Sequence, residues 1–595
     1  MKLRSINKLG VAFIATGICF TLSSCKKMLD VEPQTTVGIA NMYRNVFDAD
    51  AAVIGVYGKV MKLAKPYTLL NELRADLMDI TTNADADLRQ LSEHTATVNN
   101  TYIDPQPFYE VIINCNDVLY NFKKMYAQSK IKQDEFNQRY SDVGAIRSWV
   151  YLQLGIHFGT IPYVTNPVVQ LSDLKDSSNF PNLTLPVLID SLVSFTEKLP
   201  YTENYPTGTT LITTVDGYST QKFFISKNVL LGDLYLWQGQ YDKAADRYKK
   251  VMEINGPTGN SELFYNQYRI SSFNNASISY TRAFDFSSLV YTNGWRYLFE
   301  RPQVDNEFNW EMIWSLPFDR NFEPVNPFID LMSPVGGSYL VQPAQQAIDN
   351  WNSQTQVYVF TAATVTAGEV LRDNFPVDSR GVFTYRIING KPVIMKYLYN
   401  YLGTNNIPIN ALSKPGKWFL TRAATLHLHY SEAANRAGKY KLAYALVNKG
   451  IAYTYDPFPG NGVSANRDVT NYHQTFLPPP YDFDARGGQA PAYRNTWYRN
   501  IGIRGRANLK PVTLPLTDSV TNVENMIIAE NALELAYEGQ RWSDLLRVAI
   551  RRNDPAFIAD KVYDKLRKSG LSAAAASAAR SKLMSKDWFL PFKFK

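Results

Sequence analysis

The sequence predicts a mostly α-helical protein, a frame of tetratricopeptide-like helix hairpins that carries long, loop-rich insertions. Three observations lead there. A stretch at 228–257 follows the residue spacing of a two-helix repeat. Weaker copies of it recur far down the chain. Between the copies lie long segments rich in Pro, Asn and Tyr that follow no helical period.

The first element is a leader. Lys2, Arg4 and Lys8 give a positive start, and Leu9 to Phe20 is apolar apart from Gly10, Thr16 and Gly17. That is the layout of a secretory signal, and the run is shorter than the ~20 residues that span a bilayer. Leu22-Ser23-Ser24-Cys25 has the form of a bacterial lipobox. The expectation is a signal peptide over 1–24, acylation of Cys25, and one domain over 25–595. Its N-terminal part, 25–256, holds hairpins, and its C-terminal part, 257–595, holds ligand loops and the helical stretch 524–552. Of the remaining cysteines, Cys19 leaves with the leader and Cys115 stands alone, so stability rests on a large core and not on disulfides.

Composition excludes one class of partner. The leader carries three basic residues and no acidic one, so the formal charge falls from +8 to +5 on its removal. Spread over so long a chain, with no Lys/Arg block, that is no nucleic-acid footprint. The 38 Tyr, 31 Phe and 10 Trp exceed what a core alone calls for and suit sugars or peptides, whose apolar faces pack on flat rings.

The hairpins come next. In "NVLLGDLYLWQGQYDKAADRYKKVMEINGP" (228–257), Leu231-Gly232, Tyr235, Ala244 and Tyr248 fall at tetratricopeptide spacing. Small Gly232 and Ala244 let the two helices approach, rings fill the gaps, and Gly239 ends the first helix. In "LHLHYSEAANRAGKYKLAYALVNKGIA" (426–452), Gly438-Lys439-Tyr440 echoes Gly239-Gln240-Tyr241 and Ala443 takes the place of Ala244. In "ENMIIAENALELAYEGQRWSDLLRVAIRR" (524–552), Ile528, Ala532, Leu535, Gly539, Trp542 and Leu546 form one apolar stripe, with a corner at Gly539–Trp542. A further helix, "AIRSWVYLQLGIHFGTIPYV", ends at Gly159 and Pro162. The Ala-rich "SAAAASAAR" reads as helix from propensity. The segments at roughly 160–220, 257–420 and 453–520 read as loops, short strands and small helices, where function concentrates.

Two regions supply binding candidates. Trp295 follows the turn signal Asn293-Gly294, with Tyr297 and Trp310 nearby as possible stacking partners, whereas Trp314 alternates like a half-buried strand and reads as core. In the polar stretch 76–102, Arg89, Asn99 and Asn100 have the chemistry to bond hydroxyls or a peptide backbone beside Tyr102.

Catalytic chemistry finds no foothold. Glu530, Glu534 and Glu538 share a helix face at ~5–6 Å spacing, near the ~5–5.5 Å of a retaining glycosidase. Arg541 and Asp544 follow at ion-pairing distance, so these residues read as a structural network. The five histidines, His94, His157, His427, His429 and His473, show no zinc spacing. "NADADL" imitates a calcium loop but has Leu88 where Gly is needed and His94 where Glu is needed, leaving Asp85 and Asp87 as at most a loose ion site. No cofactor loop is present, so neither a catalytic residue, a metal nor a cofactor is assigned.

Taken together, these stretches resemble the SusD/RagB family of outer-membrane nutrient-binding lipoproteins. The resemblance rests on "CKKMLDVEP" after the lipobox, on Arg147–Pro162, on "HLHYSEAANRAGKY", and on "ENALELAYEGQRWSDLLR", which follows the family pattern with Asn531 in place of an Arg. It implies a mostly helical fold with four tetratricopeptide-like helix pairs under a loop-rich ligand face. It implies an acyl anchor in outer-membrane lipid, and a lid role on a SusC-like TonB-dependent transporter barrel. The ligand would be a glycan, or alternatively a peptide. A surface glycosidase and a purely structural scaffold are the remaining readings. The terminal "DWFLPFKFK" matches the family only loosely.

Overall fold

The computed structural model describes residues 42–167, 180–252 (except 207, 216 and 217), 299, 312–319, 323–355, 357–360, 368–371, 378–448 (except 404), 450–455, 475–483 and 502–593 (except 508). Cys25, Trp295, Tyr297 and Trp310 lie outside them.

Helix α1 (Val46–Met61) starts where the Asn45 side chain accepts the N–H groups of Phe47 and Asp48 at 3.0 and 3.3 Å, supplying partners to donors that the first turn leaves unmet. Helical residues 64–73 follow, then strand β1 (Met78–Ile80) and the short α2 (Ala86–Ser92). Helices α3 (Gln106–Ala127) and α4 (Gln133–Phe158) pack side by side. From Gln138 to Phe158 only Tyr140 of α4 escapes burial. A helix covered on every side needs no polar stripe, but its buried polar groups need partners; Arg147 finds one in Asn116 Oδ1 at 2.7 Å.

α5 (Leu185–Glu197) packs against α4 on one side and α6 (Lys227–Gln238) on the other. It lies in a stretch expected to be irregular. Its "LPVLIDSLVSF" buries Leu185, Leu188, Ile189, Leu192 and Val193, an ordinary helical face that the surrounding Pro and Asn residues obscured. α6 and α7 (Tyr241–Met252) form the hairpin anticipated from repeat spacing. Gly239 takes a left-handed φ of 81° at the corner. A Cβ on Gly232 would lie 2.4 Å from the Tyr248 ring, so glycine there sets how closely the helices approach.

Strand β2 (Met312–Phe318) pairs antiparallel with β4 (Gly416–Arg422), and β1 pairs with β3 (Val341–Pro343) in the register Met78↔Pro343 to Ile80↔Val341. Every sheet among the described residues has two strands. These ribbons fasten the C-terminal half onto the N-terminal helices. Trp314, read as core, is buried on β2 and donates its Nε1–H to Phe223 O at 3.0 Å. With Tyr67, Trp149 and the fully buried Trp418 it forms an aromatic knot, its ring centroids 5.1–5.5 Å apart from Tyr67 through Trp149 to Trp314.

α8 (Gln345–Asn352) precedes the second anticipated hairpin, α9 (Ala423–Arg436) and α10 (Tyr440–Val447), with Gly438 at φ 79°. The last hairpin is α11 (Ser519–Glu534) and α12 (Arg541–Arg552). The stripe read through 524–552 as one run is therefore broken at Glu534, five residues before Gly539. The cause is a carboxylate from far away. Glu72 accepts the backbone N–H groups of Tyr537, Gly539 and Gln540 at 3.1, 2.6 and 3.1 Å, which turns the chain out of the helix and caps the start of α12. α13 (Ala556–Lys568) and α14 (Ala573–Met584), the Ala-rich helix, close the chain. The terminal segment docks on the N-terminal part of the frame: Arg74 donates to Trp588 O at 2.5 Å, and Leu590 N–H donates to His157 O at 2.8 Å. One cluster of buried side chains runs continuously from Tyr43 to Leu590.

Candidate functional site

The early polar stretch folds as a braced loop between α2 and α3. Asp85 caps α2, accepting the Leu88 N–H at 2.7 Å, and also accepts the Tyr102 hydroxyl at 2.6 Å. Asp87 Oδ2 accepts the N–H and the hydroxyl of Thr101, each at 2.8 Å. Both carboxylates of the calcium-like sequence are thus engaged inside the loop. Asn100 is buried; its amide donates to Asp87 O at 2.7 Å and Gln90 Oε1 at 3.3 Å, and its oxygen accepts the Tyr102 N–H at 3.0 Å. It shapes the loop from within. Tyr102 is half-buried under Lys65, whose Nζ is 5.3 Å from the ring centroid. Burial, then the bond to Asp85, pushes its hydroxyl well above the usual range. Arg89 and Asn99 face outward. Arg89 lines a cleft of about 560 Å³ with Asp79, Thr82, Gln342 and Lys568.

Loops from the far half of the chain complete this face. Thr81 Oγ1 donates to Tyr339 O at 2.5 Å, and Asn83 Nδ2 to Ser338 O at 3.0 Å. Beside them Gly336 lies so close to Tyr401 that a Cβ would be 2.0 Å from the hydroxyl. The next residue back, Asn400, donates its amide to Phe299 O at 3.4 Å, and buried Phe299 packs edge-on against Phe419 with ring centroids 5.1 Å apart. A chain of close contacts therefore runs from the early loop to Phe299.

The glutamates of α11 and its corner are locked. Arg380 contacts Glu530 at 2.7 Å and Glu534 at 2.8 Å; Arg422 contacts Glu534 and Glu538, each at 2.8 Å; Lys396 contacts Glu538 at 2.6 Å. Arg504 adds a contact to Glu530 at 3.3 Å. Burial alone would raise the Glu538 carboxyl, but the charges of Arg422 and Lys396 overcome it and hold it below its usual range. Burial drives Lys396 down to about 8 against the pull of Glu538. An ion-pair network is present, but neither pair read from the spacing of Glu538, Arg541 and Asp544 belongs to it: Asp544 pairs with Arg547 at 2.7 Å and His429 at 3.3 Å. Arg541 does not bond Glu538; its Nε and Nη2 reach Asp76 at 2.6 and 2.7 Å. Sequence spacing cannot see a partner 465 residues away.

A second network joins the three hairpins. His429 on α9 reaches Asp233 of α6 at 3.0 Å and Asp544 of α12 at 3.3 Å. Glu432 holds Arg547 at 2.6 Å and Arg551 at 2.8 Å. Burial would lower the His429 pKa, yet its bonds to Asp233 and Asp544 raise it to about 10. Asn531, the departure from the Arg of the family pattern, donates to Asp544 Oδ2 at 3.1 Å. The two sequence motifs around Glu432 and Arg547 are therefore two halves of one contact.

Residues 487–589 match the family model described as SusD family. Among solved structures, a SusD superfamily protein from Bacteroides vulgatus is 15% identical at a TM-score of 0.55, over 89% of this chain and 94% of that one. A SusD-like carbohydrate binding protein from Bacteroides fragilis is 14% identical at 0.54, over 87% and 88%. A laminarin binding SusD-like protein is 16% identical at 0.50, over 92% and 96%. No curated protein matches the sequence. At such identities the likeness is one of fold.

Proposed function

From the match of residues 487–589 to the SusD family model and the likeness of fold to SusD-like structures, we propose that the chain is a SusD/RagB-type outer-membrane surface lipoprotein that binds glycans unchanged and passes them to a SusC-like TonB-dependent barrel. Acylation of Cys25 is the anchor in this reading, since each acyl CH₂ buried in lipid contributes ~0.8 kcal/mol; no described helix is long and apolar enough to cross a membrane. The glycan class is supported by the two structural neighbours named for carbohydrate and laminarin binding.

The observation that supports the reading is the docking of loops from the far half of the chain on the early stretch, through Thr81–Tyr339 and Asn83–Ser338. On this face stand Arg89 of α2 and Asn99 and Tyr102 on the loop shaped by Asn100; Trp295, Tyr297 and Trp310, the remaining candidates of this reading, lie outside the described residues. In this scheme the rings stack on the CH-rich faces of a sugar while guanidinium and amide groups bond its hydroxyls. The α11 carboxylates, each committed to a buried cation, support a binder over a glycosidase.

The test is calorimetric titration of the purified protein with laminarin and a panel of other glycans. Binding that falls on the order of tenfold or more in Trp295→Ala and in Arg89→Ala supports the site. Full affinity in both variants overturns it, and glycan turnover abolished by Glu538→Gln overturns the non-catalytic reading. Intact-mass analysis of the native protein reports the acyl chains on Cys25 directly.

A further inference from the structure

We propose that the chain carries a second carbohydrate site, for neutral oligosaccharides, in the cleft enclosed by α8, α11 and α13. The cleft has a volume of about 1120 Å³, enough for several sugar rings, since drug-sized ligands occupy ~300–1000 Å³. It is distinct from the cleft at Arg89. Asp349 of α8 and Lys568 of α13 bridge at 2.6 Å between them, with Gln345 and Ile348 facing the Arg89 side and Gln346 and Asn350 facing the larger cleft.

Its walls are built from amides. Gln346 and Asn350 stand one turn apart on α8, and Asn522 and Asn525 one turn apart on α11. Each amide spends one end on the protein: Gln346 Nε2 donates to Asn350 Oδ1 at 3.0 Å, Asn522 Nδ2 to Thr517 O at 3.0 Å, and Asn525 Oδ1 accepts from Arg552 at 2.9 Å. Whichever way each amide is turned, one end remains for a ligand. Two pairs of amide groups on one cleft, each offering one donor or acceptor, suit the hydroxyls of successive rings of an oligosaccharide.

Charge decides the ligand class. The ionic groups of the cleft are largely matched within the protein: Arg541 with Asp76 at 2.6 Å, Arg504 with Glu530 at 3.3 Å, Arg552 with Glu524, and Asp560 with Arg580 at 2.6 Å. Asp554 accepts the Ala556 N–H at 3.1 Å. Lys561 and Asp564 are left, one turn apart and opposite in sign. With Arg504, Arg541, Arg552 and Lys561 against Asp76, Glu530, Asp554, Asp560 and Asp564, the lining is one charge negative, which gives no advantage to an acidic chain, whereas a polyhydroxylated neutral ligand meets hydrogen-bonding groups without adding a charge. A peptide is disfavoured because the extended wall at 512–515 offers no strand edge at Val512, whose N–H and carbonyl are taken by Asn448 and Tyr444.

The inference rests on the glycan reading for its ligand class, and its test separates the two. Hydrogen exchange is measured on the full acylated chain in detergent with laminarihexaose, maltohexaose and, as an acidic control, hexagalacturonate. The expected result is slowed exchange at 345–352 and 519–526 with a neutral hexasaccharide, with affinity there falling on the order of tenfold in Asn350→Leu and in Asn525→Leu. Protection confined to 81–104 overturns this site and leaves the first one standing. Protection nowhere with any sugar overturns both readings. Protection of the cleft by hexagalacturonate alone overturns the neutral class, and an unchanged affinity in both leucine variants places the ligand elsewhere and overturns the cleft.

Discussion

Arg422 illustrates what single residues do in this protein. It is fully buried, and its guanidinium is spent on Glu534 and Glu538. Removing one partner of such a set leaves opposite charges stranded in a dry interior, so Arg422→Ala should cost about 3–5 kcal/mol. Urea unfolding measures this directly, and a loss below ~1 kcal/mol would mean the pairs are not formed. His429 gives a prediction with a sign. Its folded pKa is about 10 against 6.5 unfolded. The folded state holds this proton more tightly, so the stability it contributes is complete below pH 6.5 and drains away as pH rises toward 10, by up to about 1.4 kcal/mol per unit. Melting temperatures of the native protein and of His429→Gln should therefore differ most at pH 6 and converge by pH 10. A gap that stays constant would place the imidazole outside the pairs with Asp233 and Asp544.

At the scale of elements, the hairpins depend on where side chains are absent. Gly232→Ala forces a methyl into the Tyr248 ring, an overpacking cost of about 1–3 kcal/mol. Gly539→Ala adds a strained left-handed φ of 82° to a Cβ only 2.0 Å from Tyr67, and should lower the melting temperature more than Gly232→Ala does. Equal effects would deny the corner its role. These glycines also show how much was readable in the sequence. The α6–α7 hairpin was legible to the residue, because Gly232, Gly239, Ala244 and Tyr248 record local contacts at fixed spacing. α14 was legible from alanine alone. α5 was missed although its apolar face is regular, because turn-forming neighbours masked it. The corner at Gly539 was legible, but the end of α11 five residues earlier at Glu534 was not, because its cause, Glu72, is distant in sequence. The candidate site divides in the same way. Arg89 on α2 and Asn99 on the loop face outward, whereas Asn100 spends its amide inside the loop, and nothing in its local sequence distinguishes it from Asn99.

For the whole molecule the governing feature is a core without a seam. A variant ending at Lys586 loses the bonds of Trp588 to Arg74 and Leu590 to His157. Because those anchors lie on the N-terminal helices, the truncation should lower the midpoint of one cooperative transition and not release a separate C-terminal unit. Two resolved transitions in calorimetry would contradict this.

The reach of Glu72, Arg74 and Asp76 has one more consequence. Their partners at Gly539, Trp588 and Arg541 lie 467, 514 and 465 residues downstream, so the corner of α12 is finished only after nearly all of the polypeptide has been made. Until then a nascent chain carries an acid without its partners and has not yet made the helix start that this acid caps. Such a chain stays loose while it is being made, and it locks shut only when its tail arrives.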